Sequence, residues 1–182
     1  MALGFAVANL LGFQVVWFAA VIGASNGHAW AGPVAALAFG IAHFAYTPDR
    51  RGDARLLAFA LAMGVAADSA LVLAGLLTFV SPWPWASLAP AWILAMWAGF
   101  ALTLNHSMAF LRGRPAAAAV FGLVGGPLAY WGAARGWDAV SFDAGLAPAM
   151  LALAVVWGIA LPALYALHGT AARAYRAHGA RA

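Results

Sequence analysis

Carboxyl, imidazole and amide side chains recur within stretches of this 182-residue chain that are otherwise apolar. Asp68 lies near the centre of the run Ala54–Val80. A carboxyl group at the middle of a membrane-spanning helix costs about 2.5–3.5 kcal/mol on insertion scales, so it should face protein and not lipid. Partnered by the imidazole of His106 or His43, such a carboxyl can relay a proton or act as a general acid or base. Asp68 and His106 are therefore the candidate catalytic pair. Asn9, Gln14, His43, Asn105 and Tyr130 are the candidate ligand-binding residues, because amides, imidazole and phenol can hold a polar ligand away from water. Most of these groups lie on one side of the centre of their segments. The economical arrangement is a polar cavity opening towards the cytoplasm and lined by the first four helices.

Spacing limits how these residues can combine. Asn105 and His106 point about 100° apart on a helix, so both need not reach one cavity. Asn9 and Gln14, five positions apart, are separated by about 140° and can flank a cavity without stacking. The alternative role for the amides is interhelical hydrogen bonding, worth on average ~0.6 kcal/mol each in a membrane bundle. Asp68 could likewise be a neutral acid that fixes helix packing. His43 and His106 could join Asp68 in a two-histidine, one-carboxylate metal site. Its ligands would come from three helices with no local spacing to support it, so neither a metal nor a cofactor is expected. The sequence contains no cysteine, which excludes disulfides, thiolate sites and a cysteine nucleophile. Phosphate-binding loops, the G-x-S-x-G elbow and H-E-x-x-H are also missing.

The elements that must position these residues follow from composition. Hydrophobic residues make up 66% of the chain and charged residues 8%, with a mean hydropathy of +0.89. Soluble domains carry roughly 25% charged residues, so lipid is the expected solvent here. Six segments have the ~20 mostly apolar residues that a spanning helix needs. They are Leu3–Ala24, Trp30–Tyr46, Ala54–Val80, Leu88–Leu111, Ala116–Ala134 and Ala147–His168. Leu3–Ala24 lacks the basic start of a signal peptide and reads as the first span. The expected fold is all-α, a polytopic transmembrane bundle over residues 1–168 with a basic cytoplasmic tail at 169–182. Within the fifth segment, Gly122-x-x-x-Gly126 should let a neighbouring helix approach closely.

Arginine placement sets the orientation. Arg50, Arg51, Arg55, Arg112, Arg114, Arg173, Arg176 and Arg181 fall on one side of a six-span arrangement, and only Arg135 on the other. Both termini should thus be cytoplasmic. Trp30, Trp83, Trp85 and Trp137 fall at the opposite boundary, where indole rings favour the headgroup region. The basic pI of about 10.4 reflects these boundary arginines and not a basic binding face, so no nucleic-acid partner is expected.

Several stretches together resemble a family of small bacterial inner-membrane proteins classed as a domain of unknown function. They are Asn9 with Phe13-Gln14-x-x-Trp17-Phe18, Asp68-Ser69, Trp92-Ile93-Leu94 through Trp97 to Leu104-Asn105, and Gly125-Gly126-Pro127-Leu128-Ala129-Tyr130. The resemblance covers nearly the whole chain and implies a single multi-pass domain in the bacterial inner membrane. It brings no catalytic residues. It does imply an association with lipid-modifying enzymes of the cyclopropane-fatty-acid-synthase type, as partners encoded nearby. The resulting expectation is a role in membrane lipid or fatty-acid modification, with membrane lipids as partners. A small proton-coupled carrier and a non-catalytic scaffold are the alternatives.

Overall fold

The computed structural model describes residues 3–179, with side chains as far as Leu167. The arginines of the expected basic tail, together with His168 and His178, lie outside the described side chains. Six α-helices account for almost all of the regular structure: α1 (Leu3–Ser25), α2 (Ala31–Tyr46), α3 (Arg50–Leu73), α4 (Ala91–Ala101), α5 (Pro115–Trp137) and α6 (Leu146–Gly179). Among the described residues, four are long and apolar enough to cross a membrane, namely α1, α3, α5 and the Leu146–Leu167 part of α6. Helices α2, with 16 residues, and α4, with 11, are shorter than the expected spans.

Large apolar side chains lie on the outside as well as the inside. Leu11, Leu37, Val124 and Leu151 are exposed, whereas Trp92, Ile93, Trp97 and Leu104 of α4 and the segment after it are buried, together with Leu56 of α3 and Leu153, Leu161 and Leu164 of α6. A water-soluble fold rarely exposes contiguous apolar patches of this kind. Helix α4 is the inner helix, packed against α1, α2 and α3, while α5 and α6 form an antiparallel pair joined to the rest through α3 and α6.

Helix α3 differs from the expected Ala54–Val80 at both ends. Asp49 caps its start, with Oδ1 accepting from the Gly52 amide at 2.9 Å, and this draws Arg50–Asp53 into the first turn. Asp53 then sits where the helix dipole favours a negative charge. The other end is closed by Gly75 at φ +66°. The Leu76 amide donates to the Leu71 carbonyl and the Gly75 amide to that of Val72, the paired bonds of a Schellman motif. Asp68 is consequently five residues from the end of α3, not at its centre. Residues after Gly75 turn back. Thr78–Phe79 (β1) pairs antiparallel with Val140–Ser141 (β2), placing Thr78 opposite Ser141.

The expected fourth span, Leu88–Leu111, is broken. Regular helix ends at Ala101, residues 102–108 form successive turns, and a short 3-10 turn covers Ala109–Leu111. Thr103 Oγ1 donates back to the Phe100 carbonyl at 2.6 Å. Thr103, Asn105 and Ser107 are residue types that compete with helical backbone bonding. The freed carbonyls find side-chain donors. Leu102 O accepts from Asn9 at 3.0 Å, and Met108 O, which accepts from the Leu111 amide at 3.1 Å, takes a second bond from Tyr165 at 2.8 Å. Irregular backbone at membrane depth is tolerated when protein satisfies it in this way.

Helices α5 and α6 meet through glycine, as the Gly122-x-x-x-Gly126 spacing led one to expect. A Cβ added at Gly122 would lie 2.1 Å from the Trp157 carbonyl oxygen, and one at Gly126 would lie 2.3 Å from the Trp157 ring. Gly132, in the same helix, has nothing within 4 Å of such a Cβ. Gly122→Ala should therefore destabilise the protein by about 1–3 kcal/mol, the range for overpacking. Gly132→Ala should leave the melting temperature in detergent unchanged or slightly higher. Equal thermal melts for the two variants would contradict this packing.

Candidate functional site

Asp53 is the centre of the larger polar cluster. It is fully buried, and its Oδ2 accepts three hydrogen bonds: from His43 Nε2 and His106 Nε2, each at 2.8 Å, and from Thr47 Oγ1 at 2.6 Å. Its Oδ1 accepts from Asn105 Nδ2 at 2.8 Å. The Asn105 amide is held in turn by Arg112, which donates to Asn105 Oδ1 at 2.7 Å and to the Asn105 carbonyl at 3.2 Å. Beyond His43, Asn9 Nδ2 lies 3.3 Å from His43 Nδ1, and Asn9 Oδ1 accepts from Ser107 Oγ at 2.7 Å. With Asn9 donating, His43 is assigned as the tautomer protonated on Nε2. The cluster ties α1, α2, the start of α3 and the broken segment after α4 into one network.

The second cluster centres on Asp68. Trp97 Nε1 donates to Asp68 Oδ2 at 2.6 Å, and the Tyr130 hydroxyl donates to Oδ1. A Cβ at Gly64 would sit 2.6 Å from the Trp97 ring, so only glycine leaves room for it on α3. On its other face Trp97 stacks on Trp157 from α6, with centroids 4.3 Å apart and planes inclined by 14°. Glycines on α3 and α5 thus bracket a two-indole stack that aims Trp97 at the carboxylate.

Asn9, His43, Asn105 and His106, expected around Asp68, gather around Asp53 instead. Fifteen positions separate the two aspartates on α3, about 22 Å at ~1.5 Å rise per residue. His106 and His43 therefore cannot be the partners of Asp68. The expected pairing placed the carboxyl in the wrong half of the helix, because Asp53 had been assigned to a loop. Tyr130 does join Asp68. Sequence reasoning missed Asp53, Thr47, Trp97 and Arg112. A usable signal for Asp53 was present: Asp49 four positions earlier is a helix-capping residue, and an acidic first turn should follow it.

Between the clusters lies a cavity of about 730 Å³ with walls from α1, α4, α5 and α6. It is apolar, unlike the polar chamber the sequence suggested, because the polar side chains are turned into the two hydrogen-bonded clusters. Gln14 lines it, as do Ser107 near the Asp53 cluster and Tyr130 at the Asp68 cluster. Its mouth carries Leu10, Leu11, Phe18, Phe110 and Phe121, all exposed on the outer surface.

Removing the Asp53 carboxylate should leave buried imidazole, hydroxyl and amide donors without an acceptor. Asp53→Ala should cost about 3–5 kcal/mol, as expected when one partner of a buried ionic pair is removed. Thr47→Val, which removes a single donor, should cost about 0.5–1.5 kcal/mol. Thermal unfolding in detergent checks both. A loss from Asp53→Ala no larger than that from Thr47→Val would show that the carboxylate is not the hub.

Residues 6–163 match the model of a family described as "Protein of unknown function (DUF2878)". Comparison with curated proteins finds no match, and comparison with solved structures finds none.

Proposed function

The chain belongs to that DUF2878 family, and from this premise we propose that it is a lipid-handling integral membrane protein. In this reading it admits the hydrocarbon chain of a membrane lipid or fatty acid into its lateral cavity for chemical modification. The setting is a bacterial inner membrane crossed six times, with both termini on the arginine-rich cytoplasmic side.

The cavity carries the reading. Its volume falls within the roughly 300–1,000 Å³ typical of small-molecule sites. Lining positions on α5 run from Phe121 to Ala133, about 18 Å at ~1.5 Å per residue, which suits an extended long acyl chain. The exposed apolar rim lets such a chain enter sideways from lipid without crossing water. Trp157 lines the cavity, and its buried Nε1 lies beside the Tyr130 hydroxyl without making a hydrogen bond of regular geometry.

Tyr130 is the catalytic candidate in this reading, because it lines the cavity and its hydroxyl is bonded to Asp68. Asp68 acts through Tyr130 as the group that takes or returns its proton. His106, buried in the Asp53 hub, has no part in this step.

Gly125 offers a clean test. It lines the cavity, and a Cβ there would meet only the Phe121 ring at an ordinary 3.5 Å, so a larger side chain can enter the space without striking backbone. Gly125→Leu should keep the fold and reduce cross-linking of a photoreactive long-chain fatty acid to α1 and α5 by about tenfold, on the scale of ~1.4 kcal/mol of binding. Undiminished labelling in a folded Gly125→Leu protein would remove the cavity from consideration. Modification is read separately. The membrane lipid profile should change on gene deletion, and Tyr130→Phe should reproduce the change. An unaltered profile in both strains leaves a binding or scaffold role.

A further inference from the structure

We propose that His43, His106 and Asp53 form a binding site for one divalent first-row transition-metal ion, with Thr47 beside it. The proposal stands on a different cluster from the lipid cavity and does not depend on it.

The donor set has the chemistry and the convergence that such an ion requires. His43 from α2, His106 from the segment after α4 and Asp53 from α3 bring two Nε2 atoms and a carboxylate oxygen within 4.8 Å of one another, and all three residues are buried. Two imidazoles and one carboxylate suit zinc, iron or cobalt rather than magnesium or calcium, which prefer all-oxygen ligands. Each Nε2 lies 2.8 Å from Asp53 Oδ2. Ligand bonds of about 2.0–2.2 Å put neighbouring ligand atoms roughly 3 Å apart, so the side chains need only small adjustments to surround an ion. Thr47 Oγ1, 2.6 Å from Oδ2 and 3.5 Å from His106 Nε2, stands where a fourth, oxygen ligand belongs.

Two further observations favour an ion over hydrogen bonding alone. Asp53 bears its charge in a fully buried position, and its ion-pair partners are imidazoles, which carry a positive charge only when protonated. A divalent ion would balance the carboxylate outright. The surrounding shell also resembles the support that metal ligands receive. Asn105, anchored by Arg112, fixes the second carboxylate oxygen. On loading, the ion takes the place of the two Nε2 protons. Each imidazole keeps one proton, now on Nδ1.

The test uses the full chain, purified in mild detergent with an affinity tag free of histidine, stripped with chelator and dialysed against zinc or cobalt(II). Elemental analysis should find one equivalent of zinc per chain. Cobalt(II) should give visible absorption bands of a four- or five-coordinate nitrogen–oxygen site. His43→Gln and His106→Gln should each lower affinity at least a hundredfold, and Asn105→Ala about tenfold, as for a residue that supports a ligand from behind. Folding of each variant is checked by size exclusion and by its tryptophan fluorescence. Less than a tenth of an equivalent in the reloaded wild type overturns the proposal. So does full binding that survives both histidine substitutions, since the ion would then sit elsewhere on the chain.

Discussion

The constraint that organises this protein is the cost of hiding polar groups from water without giving them a partner. A backbone or side-chain donor buried in an apolar medium costs several kcal/mol if left unmatched, and a lone carboxylate costs far more. The two buried aspartates are where this constraint is most severe. Asp53 meets it with four donors drawn from α2, the loop after it and the segment after α4. Asp68 meets it with an indole and a phenol from two other helices. Each carboxylate therefore dictates which helices must adjoin α3 and at what height. The apolar contacts, being non-directional, fill the space that remains.

Close approach of the helices depends equally on residues with no side chain. Gly64 leaves room for Trp97, Gly126 for Trp157 and Gly122 for the Trp157 backbone. The indole stack between them is rigid, and it forms part of the cavity wall. The shape of the cavity is thus set by the glycines that bring α3, α4, α5 and α6 together. The same glycines aim Trp97 at Asp68, so the chemistry of the wall and its form have one origin.

The membrane class and the helical fold were readable from the sequence because they depend on sums: apolar content, scarcity of charge and length of uninterrupted runs. The glycine pair on α5 was legible for a similar reason, since its spacing is local. Pairings across the bundle were not. Hydropathy treats Leu88–Leu111 as one span, yet Thr103 bonds back to Phe100 and the helix gives way there. It also counted Asp53 as loop, because charged neighbours Arg50 and Arg51 lower the local hydropathy, although the cap at Asp49 extends α3 to include them. Two short-range effects, a hydroxyl and a cap, thereby moved the histidines from one aspartate to the other. Which of two carboxylates an imidazole meets across a bundle has no signature in a single sequence.

The break after α4 has a consequence for how the chain is assembled. The carbonyl of Leu102 relies on Asn9, which is translated long before it, whereas that of Met108, already bonded to the Leu111 amide, takes its second bond from Tyr165, which is translated long after. No helix–helix pair formed early in synthesis can satisfy both. The inner segment therefore completes its hydrogen bonding only when the final helix is in place. The last of these bonds forms when α6 arrives and its phenol ties the turns after α4 to the rest of the bundle.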